Sequence, residues 1–202
     1  MKNIFNDASM NVREFLSNNK EFNSKIPEQD RAETNKFKKI LGINWNSDED
    51  IIQITLKPWK DQVPTKRTVL QFLASQYDPF GFLTPCTMPI KLFLQNLWKE
   101  KVSWDQLISK DDQKNWESLI CAWPIYVKDI QRVVIDTSLP TGIHVFVNAS
   151  SAVYTASVYF TQVRKSLVFA KLRIAPIKSM TIPRLELSAV LIGIRAVQFV
   201  IK

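Results

Sequence analysis

Apolar side chains in the first 123 residues mostly recur at every third or fourth position, with polar residues between them. This spacing is typical of helices that bury one face. It predicts helices at about 8–19, 65–77, 86–100 and 111–122. We expect Thr65 to be the N-cap of the second helix. Two strand-like runs, 39–45 and 50–56, flank the polar segment Asn46–Glu49, which predicts a β-hairpin.

The pattern changes near residue 124, where short β-branched runs replace the helical spacing. These runs predict strands at about 130–135, 141–147, 152–160 and 165–172. After Pro176 and Pro183 the helical period returns, from about 184 to 201. We therefore predict an α+β fold, in which a helical part with a β-hairpin is followed by a βββα unit. The domain boundary is expected at 124–140.

Composition narrows the class of protein. Of the 202 residues, 46% are apolar and 23% are charged, which is ordinary for a folded globular chain. Lys and Arg total 27 against 19 for Asp and Glu, and the net charge of +8 favours a polyanionic partner. Cys86 and Cys121 are too few for a disulfide framework. With no signal peptide at the N-terminus and Arg195 interrupting the longest apolar run, we expect an intracellular protein, cytoplasmic or nuclear, without a membrane partner.

Two polar residues stand at positions that suit phosphodiester chemistry. Asn148 follows the predicted strand 141–147, and Glu186 lies near the start of the last predicted helix. A pair of oxygen ligands of this kind can hold a divalent metal against a phosphodiester. Asn148 is neutral, however, and could equally hydrogen-bond its own backbone, as Asn often does at strand ends. Glu186 could equally be an exposed or paired helical carboxylate.

An ordered series of short motifs resembles the BEL/Pao retrotransposon polyprotein over almost the whole chain. The motifs are Asn11–Asn19, Ile26–Glu28, Leu41–Trp45, Thr65–Arg67, Tyr77–Pro85, Leu97–Trp98, Asn148–Ser150, Ala170–Pro176 and Thr181–Leu187. The resemblance implies that residues 1–60 are the end of a reverse transcriptase palm. It implies that residues 61–123 are the helical thumb or connection, and that residues 124–202 are a truncated ribonuclease H-like βββα unit.

The resemblance also implies roles for the two polar residues. Asn148 occupies the position of the first metal-binding aspartate of the family, and Glu186 that of its glutamate. The two later aspartates would lie beyond Lys202, and the polymerase aspartates would lie before residue 1. The intact family uses Mg²⁺, which prefers hard, anionic oxygen ligands. With Glu186 as a weak metal ligand at best, we expect no cofactor and no catalysis by this chain alone.

Six basic residues are candidate contacts to nucleic-acid phosphates. A thumb grips a duplex through its phosphates, so the resemblance makes an RNA/DNA hybrid or duplex the expected partner. The candidates in the thumb-like part are Lys66, Arg67 and Lys91; Lys171, Arg173 and Arg184 are a basic cluster near the would-be cleft of the ribonuclease H-like part. Solvated helix faces carry the same residue types, and that alternative stays open. An uncovered edge of the truncated sheet would also favour self-association.

Two other functions stay open at this point. The chain could be a mis-bounded piece of an active retrotransposon polyprotein with RNA-directed DNA polymerase and ribonuclease H activity. It could also be a co-opted interaction protein that binds nucleic acid or competes with the proteins of intact retrotransposons. A degenerate or partial copy without catalysis is the first expectation, because Asn148 removes a charge from the metal site.

Overall fold

The computed structural model describes residues 2–10, 12–32, 37–60, 62–124 and 127–201. It divides the chain into two compact units, Met1–Ile54 with Val127–Val133, and Thr55–Tyr126 with Val134–Lys202. The helices are α1 (Lys2–Asp7), α2 (Lys20–Ser24), α3 (Lys66–Ser75), α4 (Thr84–Lys99), α5 (Lys110–Cys121) and α6 (Ile182–Val200). The strands are β1 (Lys38–Ile40), β2 (Ile43–Asn46), β3 (Ile51–Thr55), β4 (Val127–Gln131), β5 (Gly142–Ala149), β6 (Val153–Thr161) and β7 (Lys165–Ile174).

The mixed α+β prediction is confirmed, because the chain combines these helices with two antiparallel sheets. The predicted hairpin is β2–β3, in which Trp45 pairs with Ile52. No helix in the described part of the chain is both long enough and apolar enough to cross a membrane.

The first unit is built around a four-stranded sheet in the order β1-β2-β3-β4. The predicted strand 39–45 is two strands, because Leu41 and Gly42 both adopt positive φ and form a tight turn between Ile40 and Ile43. The strand predicted at 130–135 is β4, which begins three residues earlier and lies beside β3 rather than in the C-terminal sheet.

The helix predicted at 8–19 is wrong for its described residues; Asn11 lies outside them. Phe15 is extended instead: its N–H donates to the Asp30 carbonyl at 2.8 Å, and its carbonyl accepts from Ala32 at 3.1 Å. Glu14 has a positive φ of 61°, which a helix does not allow. The pairing partner is remote in sequence, so local hydrophobic spacing could not reveal it.

The helical part of the second unit closes on an aromatic core. Thr65 caps α3 as expected. Its hydroxyl accepts the N–H of Thr68, and the hydroxyl of Thr68 accepts the N–H of Thr65. Phe72 of α3 packs edge-on against Trp116 of α5 and against Trp123, with ring centroids 6.0 and 5.2 Å apart. Phe93 of α4 also packs on Trp116, with ring centroids 5.4 Å apart, so burial of these rings holds α3, α4 and α5 together.

The C-terminal part of the second unit is a three-stranded sheet, β5-β6-β7, with α6 packed on one face. Small residues on α6 let it approach closely. A Cβ on Gly193 would stand only 2.9 Å from Val145 and 3.1 Å from Val147, both on β5. The βββα order predicted from the sequence is therefore present. Among the described strands, β5 pairs on one side only, so its outer edge is open.

Candidate functional site

Asn148 lies one residue before the end of β5 and is exposed. Its Oδ1 accepts the N–H of Ala149 at 2.9 Å, which is the local backbone bond that sequence reasoning gave as the alternative to a metal role. Val145 and Val147 lie against Gly193 of α6. Because strand side chains alternate between faces, Asn148 is directed to the face away from Gly193 of α6.

Glu186 stands in the second turn of α6 and is exposed. It makes no hydrogen bond or ion pair with any described residue. Across the residues that the structure describes, no three Asp, Glu, His or Cys side chains form a group that could hold a metal ion. The arrangement therefore provides one isolated carboxylate and one amide whose oxygen is already hydrogen-bonded.

Lys66 does not present its charge to solvent. It is 5% exposed, and its Nζ donates to the carbonyl of Val102. The same ammonium lies over two indole rings, 4.2 Å from the centroid of Trp98 and 4.9 Å from that of Trp104. Cation–π contact and the hydrogen bond hold it inside the helical part. These contacts give Lys66 a structural role and leave its ammonium little access to a phosphate, so a phosphate contact at Lys66 stays an untested prediction that the structure does not favour.

Arg67 is exposed but forms an ion pair with Asp105. Its Nε and Nη2 donate to the two carboxylate oxygens of Asp105 at 2.6 and 2.9 Å. The hydrogen bond from Arg67 holds the pKa of Asp105 below its usual range, and the same bond raises the pKa of Arg67. A phosphate would have to compete with this bidentate pair, so Arg67 is a weaker candidate than its exposure suggests.

Lys91 and Lys171 lie close together on α4 and β7. They line one side of a small cavity of about 130 Å³, into which Asp78 also projects. Burial lowers the pKa of Lys91, and repulsion from Lys171 lowers it further, while Asp78 opposes the shift. These two candidates form a basic pair that one nearby carboxylate only partly offsets.

Lys171 and Arg173 also line a larger cavity of about 320 Å³ between β7 and α6. Arg195 of α6 lines the same cavity, and sequence reasoning missed it as a binding residue. The signal that could have found it is a lone arginine in an otherwise apolar helix, since Arg195 interrupts the run Leu187–Ile201. Arg184 is exposed at the start of α6 and lies outside this cavity.

A sequence model of the family described as Pao retrotransposon-like RNaseH-like domain matches residues 65–202. The chain belongs to this family. The match covers the helical part of the second unit as well as the β5–α6 region. No curated protein sequence matches the chain.

The residues present do not fit the Mg²⁺ ions that a Pao ribonuclease H site implies. Two divalent cations a few ångströms apart need several carboxylates to offset their charge. Here Asn148 is neutral, its oxygen is bound to the Ala149 N–H, and it points away from Gly193 of α6. Glu186 alone supplies a single negative charge.

The Tyr77–Pro85 motif of this Pao chain has a structural explanation. The carboxylate of Asp78 accepts the N–H groups of Phe82 and Leu83 at 2.9 and 2.7 Å. The carbonyl of Phe80 accepts the N–H of Ala170 on β7 at 2.8 Å. The loop therefore fixes the start of α4 and also covers part of the outer edge of β7.

Proposed function

We propose that this chain is a ribonuclease H-like member of the Pao family that binds nucleic acid through phosphates and does not hydrolyse it alone. The neutral amide at Asn148 carries the proposal. In-line phosphodiester hydrolysis needs anionic ligands for the metal ions, and an amide already bonded to Ala149 is a poor substitute. Family membership supports nucleic acid as the partner, and the net charge of +8 is consistent with a polyanion.

We also propose that residues 1–60 correspond to the end of a reverse transcriptase palm and residues 61–123 to the thumb or connection. The ordered motifs of the sequence support this assignment. The packing of α3, α4 and α5 on one aromatic core supports a compact helical subdomain in the second segment. The first segment lies before the residues that the family model matches.

A second copy of the chain is a further proposed partner. The open edge of β5 is lined by exposed apolar side chains; Phe146 is 56% and Val147 41% exposed. An edge strand with unpaired backbone groups and apolar side chains invites pairing with another strand.

Hydrolysis of a labelled RNA/DNA hybrid in Mg²⁺ or Mn²⁺ tests the inactivity. We expect the unaltered chain to give no product above a protein-free blank. The Asn148→Asp variant should also stay near background, because the restored carboxylate would face away from Gly193 of α6. Turnover by the unaltered chain that Glu186→Gln abolishes would overturn the proposal, since a contaminating nuclease would not respond to that substitution.

A further inference from the structure

The cavity between β7 and α6 has two facing rows of side chains. Phe169, Lys171 and Arg173 occupy alternate positions on β7, so they share one face of the sheet. Ser188, Arg195 and Phe199 form the opposite row on one side of α6. The two rows enclose about 320 Å³ of space that opens to solvent.

The packing of α6 explains why this space exists. Ala189, Gly193 and Ala196 are buried and bring the helix close to the sheet. The close approach is to β5 and to Ala156 of β6, as the short distances around Gly193 show. β7 is the next strand outward, so its face extends beyond the helix and stays partly uncovered. The cavity is thus a consequence of where the small residues lie.

Charge in the cavity has one sign. Among the described residues that line it, the charged side chains are Lys171, Arg173 and Arg195, all cationic. None of the three forms an ion pair with a described residue. Lys91 adds a fourth positive charge close to Lys171. Asp78, near Lys91, offsets this charge only in part, so the cationic cluster in a concave site attracts an anion.

The rest of the lining is apolar and aromatic. Tyr154 lies beside Arg173, its partner across β6 and β7, and Phe169 and Phe199 stand on the two walls. Phe199 is 77% exposed. A ligand that suits this surface has anionic groups together with a flat, aromatic body. Nucleotides combine both, and stacking on aromatic rings beside a cationic groove is how proteins bind single strands without sequence preference.

We propose that this cavity holds one unstacked nucleotide of single-stranded nucleic acid. The phosphates lie against Lys171, Arg173 and Arg195, and the base packs against Tyr154 and Phe199. The volume is at the lower end of the roughly 300 to 1,000 Å³ typical of ligand sites, which suits a single nucleotide. Bases paired inside a duplex are not free to enter. The inference rests on the proposed phosphate binding and gives it a location and a strand preference.

Fluorescence anisotropy of a labelled oligo-thymidylate, measured over a salt series, tests the proposal. We expect Arg195→Gln to weaken binding several-fold and to lower the slope of log affinity against log salt by about 0.7, the value for one lost phosphate contact on a single strand. Phe199→Ser should weaken binding at least about fivefold through lost stacking. Both residues are exposed, so the fold is expected to tolerate these changes.

Matched controls separate the cavity from general charge. Arg164→Gln removes the same charge from the turn between β6 and β7, and Phe22→Ser removes an exposed ring of α2. Each should change single-strand affinity less than about twofold. If Arg195→Gln and Arg164→Gln weaken binding equally, the cavity is not the site.

A parallel titration with an RNA/DNA hybrid distinguishes failure of the cavity proposal from failure of the proposed function. Salt-dependent hybrid binding together with single-strand binding that is indifferent to Arg195→Gln would overturn the cavity alone. Absence of any salt-dependent binding to either nucleic acid would overturn both the cavity and the phosphate-binding proposal. Neither result bears on hydrolysis, which the metal-dependent assay tests separately.

Discussion

At the scale of single residues, the surroundings of each charge decide its role more than its residue type does. Lys66 and Lys91 are both lysines of the helical part, and both were candidate phosphate contacts. Lys66 is held by Val102 and two indole rings, whereas Lys91 lies half-buried beside another cation. A sequence shows the residue type but not the partner, so the two lysines could not be told apart before the structure.

Replacing Lys91 with methionine should stabilise the protein at neutral pH. Burial and repulsion from Lys171 lower the pKa of Lys91 below its ordinary 10.5, so its charged form costs stability in the folded state. That cost is present at neutral pH, fades as pH rises through the lowered folded value, and is gone above 10.5. Thermal unfolding should give a higher Tm for Lys91→Met at pH 7, with a smaller gain near pH 10.5. Lys99→Met, at an exposed site on the same helix, should show no such pH-dependent gain.

Asp50 is a second residue whose charge matters. Arg132 donates to both of its carboxylate oxygens, at 2.6 and 2.9 Å, and the Trp45 indole N–H donates at 2.9 Å. The hydrogen bond from Arg132 is the main reason that the pKa of Asp50 is below 3.8. The stabilisation from the Arg132–Asp50 pairing is therefore present above pH 3.8. It is lost as pH falls through the lowered pKa that Asp50 has in the folded state.

We predict that Asp50→Asn lowers the free energy of unfolding by about 1 kcal/mol at pH 7, because the bonds from Arg132 lose their charged acceptor. Urea denaturation at pH 7 and at progressively lower pH measures the effect. Asp48→Asn, an exposed neighbour, is the control. A loss for Asp50→Asn that stays constant well below pH 3.8 would contradict the role of the charge.

At the scale of elements, sequence reasoning succeeded where a local pattern determines the structure. α3 begins at its capping box, α4 to α6 follow the helical period closely, and β5 to β7 lie within a few residues of their predicted bounds. It failed where pairing is long-range. Nothing near Phe15 indicates that its backbone pairs with residues 30 and 32, and nothing near β4 indicates that it joins β3.

Gly81 lies in the loop before α4, where this loop contacts β7, and the position tolerates no side chain. Its φ is +78°, and a Cβ there would stand 1.8 Å from the carbonyl oxygen of Ala170 on β7. Gly81→Ala should therefore cost about 2 kcal/mol or more, since either the backbone of the loop or β7 must move. Gly142→Ala is a matched control, because its Cβ would meet its nearest atom at an ordinary 3.6 Å. Equal urea midpoints for Gly81→Ala and the unaltered chain would refute the close approach.

The open edge of β5 predicts self-association that charge should suppress. We expect Phe146→Lys to lower the fraction of oligomer in sedimentation velocity runs across a concentration series, because a lysine on an edge strand discourages pairing. Val163→Lys, which changes an 89% exposed residue in the turn between β6 and β7, is the control. If both variants reduce oligomer equally, added charge rather than the β5 edge is responsible.

At the scale of the whole molecule, the contacts divide the chain differently from the three sequence segments 1–60, 61–123 and 124–202. The helical part and the βββα part fall in one compact unit, and β4 groups with the residues before 55. The family match from residue 65 onward spans both of those parts. The sequence-based boundaries follow the motif series, and they stay predictions about how the chain corresponds to palm, thumb and ribonuclease H regions.

The candidate site shows the same division between what a sequence reveals and what it does not. Asn148 and Glu186 were found from their positions after a strand and within a helix, but the face on which Asn148 lies depends on how β5 meets α6. Lys171 and Arg173 were found as a basic cluster. Arg195 was missed, because only the packing of α6 brings it opposite them.

Metal binding shows directly whether the side chains around Glu186 carry too little negative charge to hold two divalent ions. Titration of the chain with Mn²⁺, followed by electron paramagnetic resonance of the free ion, gives the number and affinity of sites. We predict no Mn²⁺ site tighter than about 1 mM that depends on Glu186. Two tightly bound ions per chain, lost in Glu186→Gln but kept in the exposed control Glu117→Gln, would contradict the account.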